Sequence, residues 1–333
     1  MSTTDAAPPL STPLVVGVDL GGTKMAAALV TADGALAGPL ASAPTPARSG
    51  PEAVLDAIAS VVDTVVSAGT HQAPGAPVAV SAVGVGSAGV VNVSTGTIVS
   101  ATDAITGWTG TSVATGVRSR LIAQGYGDMP VHVENDVDAY AGGEAWLGAG
   151  RDASSVLVVA VGTGVGGSVV INGTTVRGAH YVAGEIGHVP APGAENEMCT
   201  CGRRGHLEAI AAGPQIHRRY LAAGGDPEVA NAFEVEQRAD AGDPIASLVY
   251  RDSAIALGKV LAGVVAVLDP ERVVLSGGLA RAGELWWAPL RETFRAELID
   301  PLADVPLVRA ELGTNAPIIG AARGALRLLG ATA

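Results

Sequence analysis

The feature that most constrains the fold is a repeated unit of strand, glycine-rich turn and strand. Residues 14–36 (LVVGVDLGGTKMAAALVTADGAL) have this pattern and end in an Asp-Gly turn. Residues 155–177 (SVLVVAVGTGVGGSVVINGTTVR) repeat it and end in an Asn-Gly turn of the hairpin type. A supersecondary repeat with this spacing predicts two similar α/β halves.

The segments around the two copies alternate between strand and helix patterns. Apolar periodicity predicts helices over 49–69, 243–270 and 316–330. Short apolar runs predict strands at 78–86, 95–101 and 272–278. VHVEND (131–136) is typical of a strand that runs into a helix. Alternating strands and helices indicate an α/β class, and the last helix could pack back on the first half.

Charge and apolar content exclude several classes of protein. The 333 residues carry a net charge of −12, which argues against nucleic acid as the main partner. The longest apolar runs, 156–161 and 261–268, are far shorter than the roughly 20 residues of a membrane span. The first residues lack the pattern of a signal peptide. Cys199 and Cys201 are too close for an ordinary disulfide, so we expect a reducing, cytoplasmic setting.

The glycine loops do not fit the common nucleotide-binding motifs. Residues 84–89 and 162–167 match G-x-G-x-x-G, but strand-like sequence follows each, where a dinucleotide-binding fold needs a helix. GVDLGGTK (17–24) has G-T-K where a P-loop needs G-K-S/T. The remaining alternatives are tight hairpins or glycine-rich turns whose backbone N–H groups face a polyphosphate. Two such loops, with a glycine pair in 275–280, favour a nucleotide.

Two polar clusters could carry chemistry. Asn135 and Asp136 lie at a strand-to-helix junction, where they could be helix caps or supply a base. Asp138 is the nearest competitor, but it should point elsewhere. Separately, H-x10-C-x-C-x4-H spacing in a glycine-rich loop predicts a tetrahedral zinc site, with free thiols and ordinary histidines as the alternative. The four predicted ligands are His188, Cys199, Cys201 and His206.

From about residue 14 to its end, the chain resembles the sugar kinases of the ROK family (repressors, open reading frames and kinases). The resemblance rests on DLGGTK, VGTGVGG, LSGG and the stretch that begins GEIGH and continues to CTCGRRGHLE. It implies a duplicated two-domain fold of the actin-like ATPase (ribonuclease H-like) type, with an interdomain cleft. The implied domains are 14–134 plus 317–333 and 135–316, the latter with the zinc loop, after a flexible tail at 1–13.

The resemblance also implies roles for particular residues. Asp136 would be the catalytic base, and Asp19 would hold Mg²⁺. Sugar contacts would come from Asn135, Glu185, His188, Glu208 and Gly89. Phosphate and adenosine contacts would come from Asp19, Gly21, Gly22, Thr23, Lys24, Thr163, Gly164, Gly277 and Gly278. Zinc would be structural and would fix His188.

The chain departs from the family pattern at two positions. His206 stands where the family has a third cysteine, which puts its ligation of zinc in doubt. Asp103, in SATDAITGW (100–108), stands where the family usually has Asn, with one residue added. That loop normally faces the sugar, so its part in specificity is open.

The implied activity is transfer of the γ-phosphate of ATP to the 6-hydroxyl of a hexopyranose by a cytoplasmic homodimer, with no membrane or nucleic-acid partner. GGTKMAAALVTADG and HLEAIAAGP look like N-acetylmannosamine kinases, which slightly favours an N-acetylhexosamine over glucose. The alternatives are a glucokinase, an inactive sugar-binding homologue and a sugar-responsive transcriptional regulator that lacks its DNA-binding domain. An N-terminal DNA-binding domain would need some 70–80 residues before the first strand, and that strand begins near residue 14.

Overall fold

The computed structural model describes residues 13–72 and 79–331. The tail predicted at 1–13 therefore lies, apart from Pro13, outside the described residues. The chain divides into two compact units. The first runs to Tyr140 and resumes at Pro317, and the second is Ala141–Ala316. No helix among the described residues is long and apolar enough to cross a membrane.

The secondary structure alternates between strands and helices. The strands are β1 (Leu14–Leu20), β2 (Lys24–Val30), β3 (Ala41–Pro44), β4 (Val80–Ser87), β5 (Val90–Asn92), β6 (Thr97–Ser100), β7 (Val131–Asn135), β8 (Ser155–Val161), β9 (Val165–Ile171), β10 (Thr174–Thr175), β11 (Arg272–Ser276) and β12 (Leu307–Arg309). The helices are α1 (Pro51–Gln72), α2 (Val113–Ala123), α3 (Asp136–Leu147), α4 (Glu208–Ala211), α5 (Gly213–Ala222), α6 (Ala232–Asp240), α7 (Pro244–Leu268), α8 (Glu284–Glu297) and α9 (Ala316–Leu328).

The two units contain sheets with the same plan. The first has the order β3-β2-β1-β4-β7, and the second has the order β10-β9-β8-β11-β12. In each, three neighbouring strands are parallel and the hairpin partner of the first is antiparallel. Asn172 and Gly173, between β9 and β10, both have positive φ, as a tight Asn-Gly turn requires. The predicted duplication is confirmed.

In the first unit, bare glycines let the last helix lie directly on the sheet. A Cβ on Gly17 of β1 would lie 2.0 Å from the carbonyl oxygen of Ile318. A Cβ on Gly84 of β4 would lie 1.8 Å from that of Ala321. Any side chain at either position would therefore push α9 off the sheet. The sequence prediction that the last helix packs on the first half is confirmed.

The second unit is built around α7, which has 25 residues. The Asp243 carboxylate caps this helix by accepting hydrogen bonds from the N–H groups of Ile245 (2.8 Å) and Ala246 (3.0 Å). The helix ends at Leu268 and is followed by the C-cap residue Asp269, which adopts the left-handed conformation. Trp286 and Trp287 of α8 are fully buried against this core.

Candidate functional site

In the first unit, two carboxylates lie at the carboxyl ends of parallel strands. Asp19 is the sixth residue of β1, and Asp136 follows the last residue of β7 and begins α3. Strand β4 lies between them and pairs with both, Asp19 opposite Gly86 and Asn135 opposite Ser87. Ligands of open α/β sheets commonly bind at this edge.

The Asp136 carboxylate is partly buried at the first turn of α3. One oxygen accepts a hydrogen bond from its neighbour's backbone, Val137 N, at 3.0 Å. Burial and, to a smaller extent, the nearby charge of Asp19 together raise the pKa of Asp136 to about 6, against the opposing hydrogen bond from Val137 N. A carboxylate with a pKa near neutrality accepts a proton better than an ordinary aspartate does. Asp138 is more buried, at 8% exposure.

Asn135 fixes the start of α3 and the loop beside it. Its side-chain oxygen accepts hydrogen bonds from Val137 N (2.8 Å) and Asp138 N (3.2 Å), as a helix cap does. Its amide nitrogen donates to the carbonyl oxygen of Gly89 at 3.0 Å. Gly89 has φ +102, and a Cβ there would lie 2.8 Å from the oxygen of Ser100. Asn135 thus ties the glycine loop after β4 to the helix that carries Asp136.

The first glycine turn, between β1 and β2, is fixed by backbone and side-chain bonds. Gly21 N donates to the oxygen of Lys24 (3.1 Å), and the Thr45 hydroxyl donates to the oxygen of Gly21 (2.7 Å). Gly22 follows in the turn, and Thr23 and Lys24 are exposed. Burial raises the pKa of Asp19 to about 6, against the opposing effect of Lys24.

Asp103, in the loop that departs from the family pattern, is exposed. Its carbonyl oxygen accepts a hydrogen bond from Arg48 Nη1 at 3.4 Å.

In the second unit, the other glycine turn borders a cavity of about 700 Å³. Gly162 N donates to the oxygen of Gly164 (2.9 Å), and Gly213 N donates to the oxygen of Gly162 (2.8 Å). Thr163, at the tip of the turn, is exposed. The volume suits a nucleoside-sized ligand.

Residues from five parts of the second unit line this cavity. They include Gly162, Thr163, Gly213, His217, Asn231, Phe233, Glu236, Tyr250, Gly278 and Arg281. Gly277, beside Gly278, has φ +89, and a Cβ there would lie 2.3 Å from the oxygen of Val161. Phe233 is 64% exposed, which is unusual for a large apolar ring. The sequence analysis did not identify Phe233. The available signal was its position in the first turn of α6, two residues after the helix cap Asn231, whose side-chain oxygen accepts a hydrogen bond from Glu234 N.

The four predicted metal ligands lie together in the second unit. One ligand atom from each of His188, Cys199, Cys201 and His206 lies within 4.8 Å of all the others. Cys199 Sγ is 3.7 Å from His188 Nδ1, and Cys201 Sγ is 3.3 Å from His206 Nδ1. Sulfur and nitrogen ligands of one tetrahedral zinc ion are about 3.6 Å apart, given Zn–S and Zn–N bonds of about 2.3 and 2.1 Å. Burial raises the pKa of the Cys199 thiol, which disfavours the thiolate. A bound cation would act in the opposite direction and favour the thiolate.

Short backbone bridges shape this metal loop. Pro190 pairs with His206, and Met198 pairs with Arg204. Between these pairs, Cys199 N donates to the oxygen of Arg203 (2.8 Å) and Gly202 N donates to that of Cys199 (3.0 Å). The chain reverses at Gly202, which has φ +83.

The two glutamates predicted to meet the sugar flank the metal loop. Glu185 Oε2 lies 3.8 Å from His188 Nε2 and is exposed. Glu208 begins α4 and its Oε2 accepts a hydrogen bond from Val165 N (3.1 Å), at the end of the second glycine turn. Its other oxygen accepts a hydrogen bond from the Thr200 hydroxyl.

Comparison with curated proteins finds sugar kinases over nearly the whole chain. A glucokinase of Streptomyces coelicolor is 33% identical over 93% of this chain and 96% of its own length. An N-acetylmannosamine kinase of Escherichia fergusonii is 32% identical over 92% of this chain and 96% of its own length.

Solved structures agree with the fold. The ROK hexokinase of Thermus thermophilus superposes with a TM-score of 0.82 at 34% identity, over 95% of this chain and 99% of that one. A ROK glucokinase of Streptomyces griseus, in complex with glucose and AMPPNP, superposes with a TM-score of 0.75 at 31% identity, over 94% and 99%. The predicted actin-like ATPase fold is confirmed. Residues 15–327 match the ROK family, to which this chain belongs.

Proposed function

We propose that the chain transfers the γ-phosphate of ATP to the 6-hydroxyl of a hexopyranose, with Asp136 as the base. The chain belongs to the ROK family, and its glucokinase and N-acetylmannosamine kinase relatives match it over more than nine-tenths of its length. It is therefore an ATP-dependent sugar kinase. The observation that carries the finer proposal is the carboxylate of Asp136 at the start of α3, with its pKa raised to about 6.

In this mechanism Asp136 accepts the proton of the attacking hydroxyl. The helix N-terminus and the N–H of Val137 favour the charged carboxylate, whereas burial and Asp19 oppose it. The balance leaves a base that is ionised at neutral pH and still basic enough to take a proton. Asn135 keeps Asp136 in place by capping α3 and bonding to Gly89.

Asp19 would hold Mg²⁺. Magnesium prefers carboxylate oxygens, and a cation would offset the cost of ionising this buried group beside Asp136. When bound, the ion supplies neutralisation of charge on the triphosphate. Gly21, Gly22, Thr23 and Lys24 form the adjacent turn, whose backbone N–H groups we assign to the phosphates.

The second unit would bind the rest of the nucleotide. We assign Thr163 and Gly164 to the phosphates, and the 700 Å³ cavity beside Gly277 and Gly278 to adenosine. Phe233 would stack on the adenine, since an exposed aromatic ring at the cavity wall offers a face for a planar base.

The Cys/His cluster would hold a structural zinc ion. Two thiols and two imidazoles are a typical ligand set of a closed tetrahedral zinc site, and the S–N separations of 3.7 and 3.3 Å support this assignment, with His206 in place of a third cysteine. Zinc would fix His188, and with it Glu185, for contact with the sugar. A reducing cytoplasm would keep both thiols available for the metal.

The acceptor we propose first is an N-acetylhexosamine, with glucose as the alternative. A coupled assay of ATP consumption with glucose, N-acetylglucosamine and N-acetylmannosamine tests the proposal. The largest kcat/KM should belong to one of the two N-acetylated sugars. The largest value for glucose would support a glucokinase, and no turnover on any hexose would overturn the proposed function.

We also propose that the chain forms a homodimer through an open apolar groove of about 860 Å³ along α7 and β9. Its exposed apolar side chains are Ile171, Val182, Val189, Val267 (83% exposed) and Leu268. Lys259 and Glu297 line this groove and form an ion pair at 3.6 Å. In a dimer with two-fold symmetry, Lys259 of each copy could pair instead with Glu297 of the other. Sedimentation should show a dimer that Val267→Asp turns into monomers; a monomeric parent chain would refute the interface.

A further inference from the structure

We propose that Thr200, the residue between the two cysteines, is a positioning residue that couples the metal loop to the second phosphate loop through Glu208. The proposal rests on the nucleotide-binding role assigned above to Thr163 and Gly164. It concerns a residue outside the four metal ligands and the predicted sugar and nucleotide contacts.

The Glu208 carboxylate bridges the two loops. Its Oε2 accepts a hydrogen bond from Val165 N at 3.1 Å, directly after the glycine turn. A Cβ on Gly164 would lie 2.9 Å from the same oxygen, so the carboxylate lies against the turn itself. Its Oε1 accepts a hydrogen bond from the Thr200 hydroxyl. The phosphate turn therefore contacts the metal loop through one carboxylate with both oxygens bonded.

A second group of the metal loop lies near the same oxygen. Cys199 Sγ is 3.8 Å from Glu208 Oε1, within reach of a weak S–H hydrogen bond. A hydroxyl is a stronger donor than a thiol, so the Thr200 hydroxyl is the main donor of the metal loop to Oε1.

The surrounding backbone leaves this bridge little freedom to readjust. A Cβ on Gly187 would lie 2.1 Å from the oxygen of Val165, and a Cβ on Gly184 would lie 2.4 Å from that of Gly167. Strand β9 is thus in backbone contact with the segment that leads to His188. This close packing holds β9 and the segment before His188 in place. If the Glu208 carboxylate moves, we therefore expect the glycine turn to shift at Val165, whose N–H donates to that carboxylate.

Loss of the Thr200 hydroxyl should weaken binding of phosphates but not of adenosine. A hydrogen bond to a charged group at an exposed site is worth enough to change an affinity by about fivefold. The adenosine cavity is lined by α5, α6, α7, the Gly278 turn, and Gly162 and Thr163 of the glycine turn. Its lining includes neither Thr200 nor Val165, the residue of the turn that Glu208 bonds. ADP and adenosine therefore separate the two effects.

The experiment compares the zinc-loaded parent chain with Thr200→Val, Thr200→Ser and the control Thr174→Val, which changes an exposed threonine on β10. Calorimetric titration gives the Kd of ADP and of adenosine, and metal analysis gives the zinc content of each variant. Thr200→Val should raise the Kd of ADP, and the KM of ATP, by about fivefold at full zinc content. Its Kd for adenosine should not change. Thr200→Ser should restore the ADP value, and Thr174→Val should match the parent.

An unchanged ADP Kd in Thr200→Val would overturn the coupling, as would equal weakening of ADP and adenosine or a Thr200→Ser variant as weak as Thr200→Val. Failure of the proposed function has a different signature, because the parent chain itself would then neither bind ADP nor phosphorylate a hexose.

Discussion

The two glycine hairpins share one topology and differ in chemistry. In the first, the sixth residue of β1 is Asp19; in the second, the sixth residue of β8 is Ala160. Asp19 pairs across its hairpin with Ala26, and Ala160 pairs with Gly166. The equivalent position therefore carries a carboxylate in one unit and a methyl group in the other.

The turns themselves are held in different ways. The first is closed by Gly21 N donating to Lys24 and by the Thr45 hydroxyl at the end of β3. The second is contacted from outside the sheet by Gly213 N and by the Glu208 carboxylate. The duplicated sheets provide two equivalent edges, and the different side chains at these edges give the two units different binding chemistry. We propose that the first unit supplies the acids for phosphoryl transfer and the second supplies the nucleotide cavity.

The largest expected effect comes from removing the base. Asp136→Asn keeps the shape of the side chain but replaces the carboxylate with an amide, which does not accept a proton at neutral pH. The kcat should therefore fall by about 10³-fold. The Kd of ADP should change less than about twofold, since a difference under 0.5 kcal/mol is expected for a site that the side chain does not touch. The control is Asp304→Asn, which changes an exposed aspartate of the second unit. A fall in kcat of less than tenfold would remove Asp136 from the role of base.

The pH profile should reflect the acids of the first unit. The base must be ionised, and burial raises the pKa of both Asp136 and Asp19 to about 6. As the pH falls through 6, kcat/KM should therefore decline by about tenfold per pH unit for each proton taken up. Because the two acids interact, the profile gives apparent values for the pair. Initial rates from pH 5 to 8, with circular dichroism to confirm folding at pH 5, measure this. A flat profile down to pH 5 would contradict the assignment.

A smaller effect is expected in the second unit from Phe233→Ala. Loss of the stacking ring should raise the Kd of adenosine by about tenfold, the usual size of one aromatic contact. The KM of the sugar should stay within twofold of the parent, because the change affects only the nucleotide cavity. Phe233→Tyr keeps a ring and serves as the matched variant. Equal affinities in all three proteins would show that adenosine binds elsewhere.

The smallest effect is on stability and has a definite sign. The pKa of Asp136 is raised from 3.8 to about 6 in the folded chain, so the chain loses stability as the pH rises from about 4 to about 6, and the loss is complete above that window. Asp136→Asn should therefore raise the free energy of unfolding at pH 8 by about 1–2 kcal/mol. The gain should be smaller at pH 5, where the parent carboxyl is mostly protonated. Urea unfolding at the two pH values measures it, and a loss of stability at pH 8 would contradict the cause assigned to the pKa shift.

Much of the fold could be predicted because its signals are local. Apolar runs around the glycine turns and the Asn-Gly turn identified the repeat, and apolar periodicity predicted the long helix α7 from the sequence. The three-residue strands β5 and β12 are too short to show a period, and only their partners define them. The spacing of the Cys/His cluster was informative for the same reason, since its ligands are close in the chain.

The parts of the site that the sequence did not predict depend on contacts between segments that are distant in the chain. The cavity that we propose for adenosine combines Gly162, Phe233, Tyr250 and Gly278, which no local pattern connects. The link from Thr200 through Glu208 to Val165 depends on how three loops pack. The raised pKa of Asp136 depends on burial and on Asp19, far away in the sequence.

We propose that this chain phosphorylates the 6-hydroxyl of a hexose with Asp136 as the base. The most direct test is to incubate the purified chain with ATP, Mg²⁺ and the preferred hexose and to analyse the product by ³¹P–¹H correlation NMR. We expect a phosphate coupled to the two protons on carbon 6, no product from the 6-deoxy sugar, and about 10³-fold slower formation of product with Asp136→Asn. A phosphate on another carbon, or equal product with Asp136→Asn, would contradict the account.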